Sequence, residues 1–223
     1  MKQSDAWKNV GGLSSPGKMP GFGWSISAER CVTGGALRNL DNSVCSNCYA
    51  CKGRYMFKNV KAAHERRYQK WHENRELFIE SMVTLLNEGK AGNCKHFRWF
   101  DSGDLQGQEM LHDIIEIAKQ TPDIRHWVPT KEYGIIFKNE EQIPENMALR
   151  VSAPFVNSLL PYRVLPNLHE VANGLSSAVY EKGLLDLDEV NVCLATVNHT
   201  TCDDEECRKC WDRGVETVIY MKH

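Results

Sequence analysis

Residues 96–131 read HFRWFDSGDLQGQEMLHDIIEIAKQTPDIRHWVPTK, and the way this stretch divides decides the fold. HFRWF has the aromatic content and alternation of a half-buried strand, and IRHWVPT reads the same way. Between them, in LQGQEMLHDIIEIAKQ, Leu105, Met110, Ile114, Ile117 and Ala118 recur at helical spacing. Strand, helix and strand in this order point to parallel pairing, because parallel neighbours need a crossover long enough to carry a helix.

Outward from this unit the alternation continues. Upstream, Arg54 to Asn87 reads as one long helical stretch broken near Glu73, with Ala62, Ala63, Leu77, Phe78, Met82, Leu85 and Leu86 among charged residues. The glycines of NEGKAGN end it. Downstream, KEYGIIFKNEE reads as a short helix, while MALRVSA, NVCLAT and VETVIYM read as strands. The first thirty residues are rich in Gly, Ser and Pro; GGLSSPGKMPGFG reads as loop and WSIS as a short strand. The class is α/β with a largely parallel sheet. A complete eight-fold barrel takes about 250 residues, so a chain of 223 is expected to form a partial or open parallel (β/α) barrel. One domain over 1–223 is expected, with cysteine-bearing segments at 24–53 and 190–223.

Composition narrows the function. At 42% hydrophobic and 25% charged, the chain buries a core without disulfide staples, and nine cysteines cannot pair completely. A net charge of −2 argues against nucleic acid as a partner. No run approaches the ~20 apolar residues of a membrane span, and the N-terminal residues hold no secretory-type apolar segment. The expected compartment is the cytoplasm, where thiols stay reduced and clustered cysteines usually bind metal or react.

The cysteines fall in two sets. CSNCYAC at 45–51 supplies Cys45, Cys48 and Cys51, with Cys31 fourteen residues earlier across a glycine-bearing segment. CDDEECRKC at 202–210 supplies Cys202, Cys207 and Cys210, with Cys193 nine residues before. Thiolates are soft ligands, and spacing of this kind aims several sulfurs at one centre. Zinc and iron–sulfur clusters both accept such a set. C-x2-C spacing in each half, with solitary cysteines further off, leans toward clusters and keeps zinc as the alternative. Cys94, alone before a strand, reads as a buried inert thiol.

Polar residues at strand ends mark a candidate rim. DSGD follows the first strand of the opening stretch, which places Asp101, Ser102 and Asp104 at a carboxyl end, where parallel sheets bind ligands. Asp104 reads equally well as the cap of the following helix. Thr130 and Lys131 close the next strand, and Ser152 the one after. Arg54 and Tyr55 follow the cysteine loop and can donate to cluster sulfurs. His64 reads as a partly buried histidine, and Trp24, Trp99, Trp127 and Trp211 as core or shielding groups.

CSNCYACKGRY, NVKAAHERRY, the 100–131 stretch and CRKCWDRGVETVIYMKH together resemble the phage gene product eighty-eight family, from about Trp24 onward. The resemblance implies an iron–sulfur protein with a core like that of the radical S-adenosylmethionine enzymes. The family's first cysteine falls on Cys31, its Cys-x-x-Cys-Tyr-Ala unit on Cys45, Cys48, Tyr49 and Ala50, and its later cysteines on Cys193, Cys202, Cys207 and Cys210. Cys31 lacks the usual following Pro-Gly, and Cys51 matches no family cysteine. Three matched thiols imply a four-iron (4Fe-4S) cluster with one open iron, or a three-iron (3Fe-4S) cluster. A small molecule such as S-adenosylmethionine or cysteine would bind the open iron beside Asp101 and Lys131, in redox or sulfur-related chemistry. The second centre would be closed and serve electron entry from a host donor. The competing expectations are an iron or sulfide reservoir without turnover, and a zinc-stapled protein that binds a host partner.

Overall fold

The computed structural model describes residues 1–160, 170–185 and 190–222. Helix α1 (Gln3–Asn9) and strand β1 (Gly23–Trp24) precede α2 (Val32–Leu37), α3 (Lys58–Glu73) and α4 (Arg75–Glu88). Then come β2 (His96–Trp99), α5 (Gln108–Gln120), β3 (Arg125–Thr130), α6 (Tyr133–Phe137) and β4 (Met147–Ser152). Strand β5 (Ser176–Tyr180), helix α7 (Leu194–Val197) and strand β6 (Thr217–Met221) complete the described elements. The opening stretch divides as its pattern implies, and α3 and α4 part at Asn74, whose extended backbone and side-chain bond to Leu77 N–H (3.0 Å) cap α4.

The six described strands are all parallel and lie in chain order, β1-β2-β3-β4-β5-β6, as one open sheet with β1 and β6 at its edges among the described residues. Register partners share a face. Phe97, Trp99, Val128, Met147, Leu149 and Val151 fall on the side covered by α4 and α5, where the main core lies. Met110, Leu111, Ile114, Ile115, Ile117 and Ala118 of α5 are all buried there, each large side chain contributing about 1.5–3 kcal/mol. On the opposite face stand Arg98, Trp127, Arg150, Ser152, Ser177, Val218 and Tyr220. Trp127 and Tyr220 belong to strands three places apart, about 14 Å in a flat sheet, yet their rings stack with centroids 6.5 Å apart. The sheet therefore curls around this face.

Three readings of the sequence change. NVCLAT is not a strand: Val192 alone bridges Ile219, and Cys193 caps the four-residue helix α7, its carbonyl taking the Thr196 hydroxyl (2.7 Å). The strand near Trp24 is Gly23–Trp24 rather than WSIS. Strand β5 carries no apolar signature in the sequence, because Ser176 and Ser177 are buried in it against Thr217 and Ser152. No described helix is long and apolar enough to cross a membrane.

Candidate metal centres

The N-terminal cysteines lie over the carboxyl ends of β2, β3 and β4, tied to each. Tyr49 donates its hydroxyl to Asp101 O (2.6 Å), and Val44 N–H donates to Pro154 O (2.9 Å). Glu132, only 5% exposed, accepts from Val32 N–H (3.1 Å), Thr33 N–H (2.9 Å) and the Thr33 hydroxyl (2.7 Å). It thereby satisfies the first free amides of α2, the helix that Cys31 caps. Glu132 was not a candidate from sequence, where a glutamate after a strand carries no mark of burial.

Cys31 and Cys45 converge beside Gly34. A Cβ on Gly34 would stand 3.1 Å from Cys31 Cβ, 3.7 Å from its Sγ and 3.5 Å from Cys45 Sγ. Burial first, then Asp104, Cys48 and Cys45, holds the Cys31 thiol far above its ordinary range. Burial also raises Cys45, with the Lys131 cation opposing and Cys48 adding. Cys51 is raised by burial and by Cys48, its hydrogen-bond partner. The four thiols thus share one electrostatic neighbourhood, which Cys51 enters beside the three matched cysteines. Gly34→Val should wedge the sulfurs apart: metal at the N-terminal set should fall at least tenfold, as read by metal analysis in a Cys207→Ala background, while the C-terminal set, read in a Cys48→Ala background, should be unchanged.

The rim residues meet here. Asp104 does not cap α5, which starts at Gln108; its carboxylate instead accepts from Leu105 N–H and, across to β3, from Lys131 N–H, both at 2.8 Å. Burial pushes its pKa up to about 6, against bonds from Thr130, Lys131 and Leu105. Thr130 Oγ1 also accepts from Glu132 N–H (3.0 Å), and Tyr133 donates to Ser152 O (2.7 Å). The Ser102 hydroxyl is buried without a partner among the described residues.

Asp101 is more enclosed than a bare strand-end carboxylate. Its Oδ1 takes the Ser25 hydroxyl and its Oδ2 the Tyr55 hydroxyl (3.0 Å), so Tyr55 points to Asp101. Arg54 is exposed. His64 is buried and stacks on Tyr55, and burial lowers its pKa. The DSGD turn needs its glycine: Gly103 has φ +82°, and a Cβ there would lie 2.4 Å from Ile26 Cγ1. Phe100, just before it, holds φ 55° with a buried ring, a strained conformation at the site's edge.

The C-terminal cysteines pack against the curled face. Cys193, Cys202 and Cys210 are buried with Trp127, Trp211 and Val218, while Cys207 is half-buried. Burial, then Cys193 and Cys207, raises Cys202 to about 11; burial raises Cys210 to about 12, opposed by its bond from Tyr220. The Tyr220 oxygen lies 3.0 Å from Cys210 Sγ, and Trp127 Nε1 is buried with no partner among the described residues. Arg150, fully buried, gathers the chain beneath through the carbonyls of Cys210 (2.8 Å), Lys209 (2.9 Å) and Asp212 (2.6 Å). A cleft of about 540 Å³ at the amino ends of β2 and β3 reaches Cys207 between His96, Arg125 and Arg208.

Among the described residues, no group of three or more His, Cys, Asp or Glu stands in the arrangement that one metal ion takes. The geometry defines an α/β protein whose open parallel sheet carries a set of four cysteines toward each end. The chain belongs to the gene product 88 family, whose model matches residues 3–213 and so takes in α1 as well as both cysteine sets. No curated protein and no solved structure matches it.

Proposed function

We propose that this chain is a phage-encoded iron–sulfur protein with two cluster sites, acting in the cytoplasm of an infected bacterial host. The observation that carries the reading is the gathering of eight of nine cysteines into two sets toward opposite ends of one sheet. A single zinc ion with sulfurs at about 2.3 Å draws them within about 4 Å of one another, and the described side chains do not stand that way. A polynuclear cluster spreads its thiolates further. The unpartnered Trp127 N–H suits a sulfur acceptor.

Cys31, Cys45 and Cys48 would hold the N-terminal cluster, and Cys193, Cys202, Cys207 and Cys210 the other. Bound clusters of this kind supply one-electron redox chemistry, and an iron without a protein ligand supplies a position for a small molecule. The chain's own groups then bind and orient. Lys131 brings a cation to Cys45 for an anionic substituent. Asp104, with its pKa near 6, can hold or release a proton close to neutrality. Ser102 offers a free buried hydroxyl. S-adenosylmethionine and free cysteine are the molecules the family resemblance suggests, and a partial barrel is the architecture we propose for the curled sheet of described strands.

Anaerobic purification with iron, sulfide and zinc analysis and electron paramagnetic resonance tests the reading. Two cluster signals are expected; Cys48→Ala should remove only one and Cys207→Ala only the other. Zinc without sulfide overturns it. Because the metal-free thiols are held protonated, loading should release protons and weaken steeply as pH falls below neutrality.

A further inference from the structure

Between the two cysteine sets, one cation on the curled face meets the surroundings of both. Arg98 of β2 and Trp127 of β3 are register partners, and the guanidinium carbon lies 4.4 Å from the Trp127 ring centroid. Toward the N-terminal set, Arg98 Nη2 donates to the Tyr49 hydroxyl (3.3 Å), and Tyr49 directly follows Cys48. Toward the C-terminal set, Trp127 stacks on Tyr220 and meets Trp211 edge-on at 5.1 Å. Tyr220 contacts Cys210 Sγ, and Trp211 directly follows Cys210. Arg98 Nε, like Trp127 Nε1, is buried with no partner among the described residues. Arginine stays charged at any working pH, and a charge shielded from water acts over a longer range than a solvated one.

We infer that Arg98 is a positioning residue shared by the two centres: one fixed cation, seated on Trp127, that stabilises the more negative, reduced state of both. The inference rests on the cluster reading. A role in packing alone would not move two reduction equilibria together.

The test is a mediated titration of the anaerobically purified protein, each centre taking one electron from dithionite, followed by electron paramagnetic resonance. Cys48→Ala and Cys207→Ala backgrounds isolate the centres. Arg98→Met should shift the reduction equilibrium at least tenfold toward the oxidised form at both, which is about 59 mV for one electron. Arg98→Lys keeps the charge and should stay within threefold of its parent at both. An unchanged equilibrium at either centre in Arg98→Met, or equal shifts in the lysine and methionine variants, overturns the inference. If the parent protein holds no iron and sulfide, the cluster reading falls by itself. The same variants are then titrated with cobalt(II), read by thiolate charge-transfer absorption. Binding weakened at least tenfold at both sets in Arg98→Met sustains the shared cation, and unchanged binding at either overturns it.

Discussion

Replacing His126 by glutamine should remove the steepest single contribution to the acid sensitivity of this fold. His126 is fully buried, and its bonds fix its tautomer. The Trp99 indole N–H can only donate, so Nδ1 accepts it at 3.2 Å; the Thr121 hydroxyl donates to Ile117 O (2.7 Å), so Nε2 must carry the proton shared with Thr121 at 2.8 Å. A second ring proton would have to sit against the Trp99 N–H in an apolar site. Burial accordingly drives the pKa from 6.5 to about 3. A depressed histidine pKa gives stability that is complete above about 6.5 and lost as pH falls toward 3, because the unfolded chain binds the proton first. The stability advantage of wild type over His126→Gln should shrink by about 2 kcal/mol between neutrality and pH ~5, and by about 4 kcal/mol at pH ~3. Asp104, raised to about 6 by burial, works in the opposite sense, destabilising as it ionises. Denaturant melts of the pair across pH therefore isolate His126 by difference. A constant difference would show that the ring is not held neutral.

The contrast between His126 and its surroundings shows what a sequence can carry. The β2-α5-β3 unit was legible because its apolar residues obey the two periods of strand and helix, and the break before α4 because asparagine is a capping residue at a pattern change. Both cysteine sets were legible because thiol spacing is a local property. What stayed hidden depends on partners far along the chain. Strand β5 opens with Ser176 and Ser177, whose hydroxyls are satisfied across the sheet by Thr217 and Ser152, so burial left no apolar trace. NVCLAT misled for the inverse reason: its apolar residues run into a helical turn, with Ala195 packed beside the C-terminal cysteines, Val192 against Ile219 and Leu194 exposed. Helix α1 is seven residues long, too short for its period to register. Asp101 was legible as a strand-end carboxylate but not as the acceptor of Ser25 and Tyr55, and Glu132 carried no signal at all.

Arg150 belongs with the hidden residues, and Arg150→Met should be the most damaging change to the C-terminal centre outside its own cysteines. In the strand MALRVS an arginine reads as a solvated side chain, yet it is 0% exposed. Its guanidinium donates to five backbone carbonyls: Cys210, Lys209 and Asp212 in the cysteine loop, Ser176 (3.3 Å) at the start of β5, and Glu216 (3.1 Å) before β6. One planar fork thus sets where the loop enters and leaves the sheet, with its charge facing the carbonyl dipoles. Methionine fills much of the volume but leaves these acceptors without a donor, at about 1–3 kcal/mol for each one that stays buried. Partial relaxation of the loop makes about 4 kcal/mol the expected loss. Arg150→Lys supplies charge without the fork and should recover less than half. Because the carbonyls belong to the segment that presents Cys207 and Cys210, the loop should open locally before the sheet does. Hydrogen exchange should therefore show loss of protection over 202–216, with 96–131 still protected. Metal analysis should show the C-terminal set emptied while the N-terminal set stays loaded. Uniform loss of protection across the sheet, or equal depletion of both sets, would instead make Arg150 a support of the whole fold.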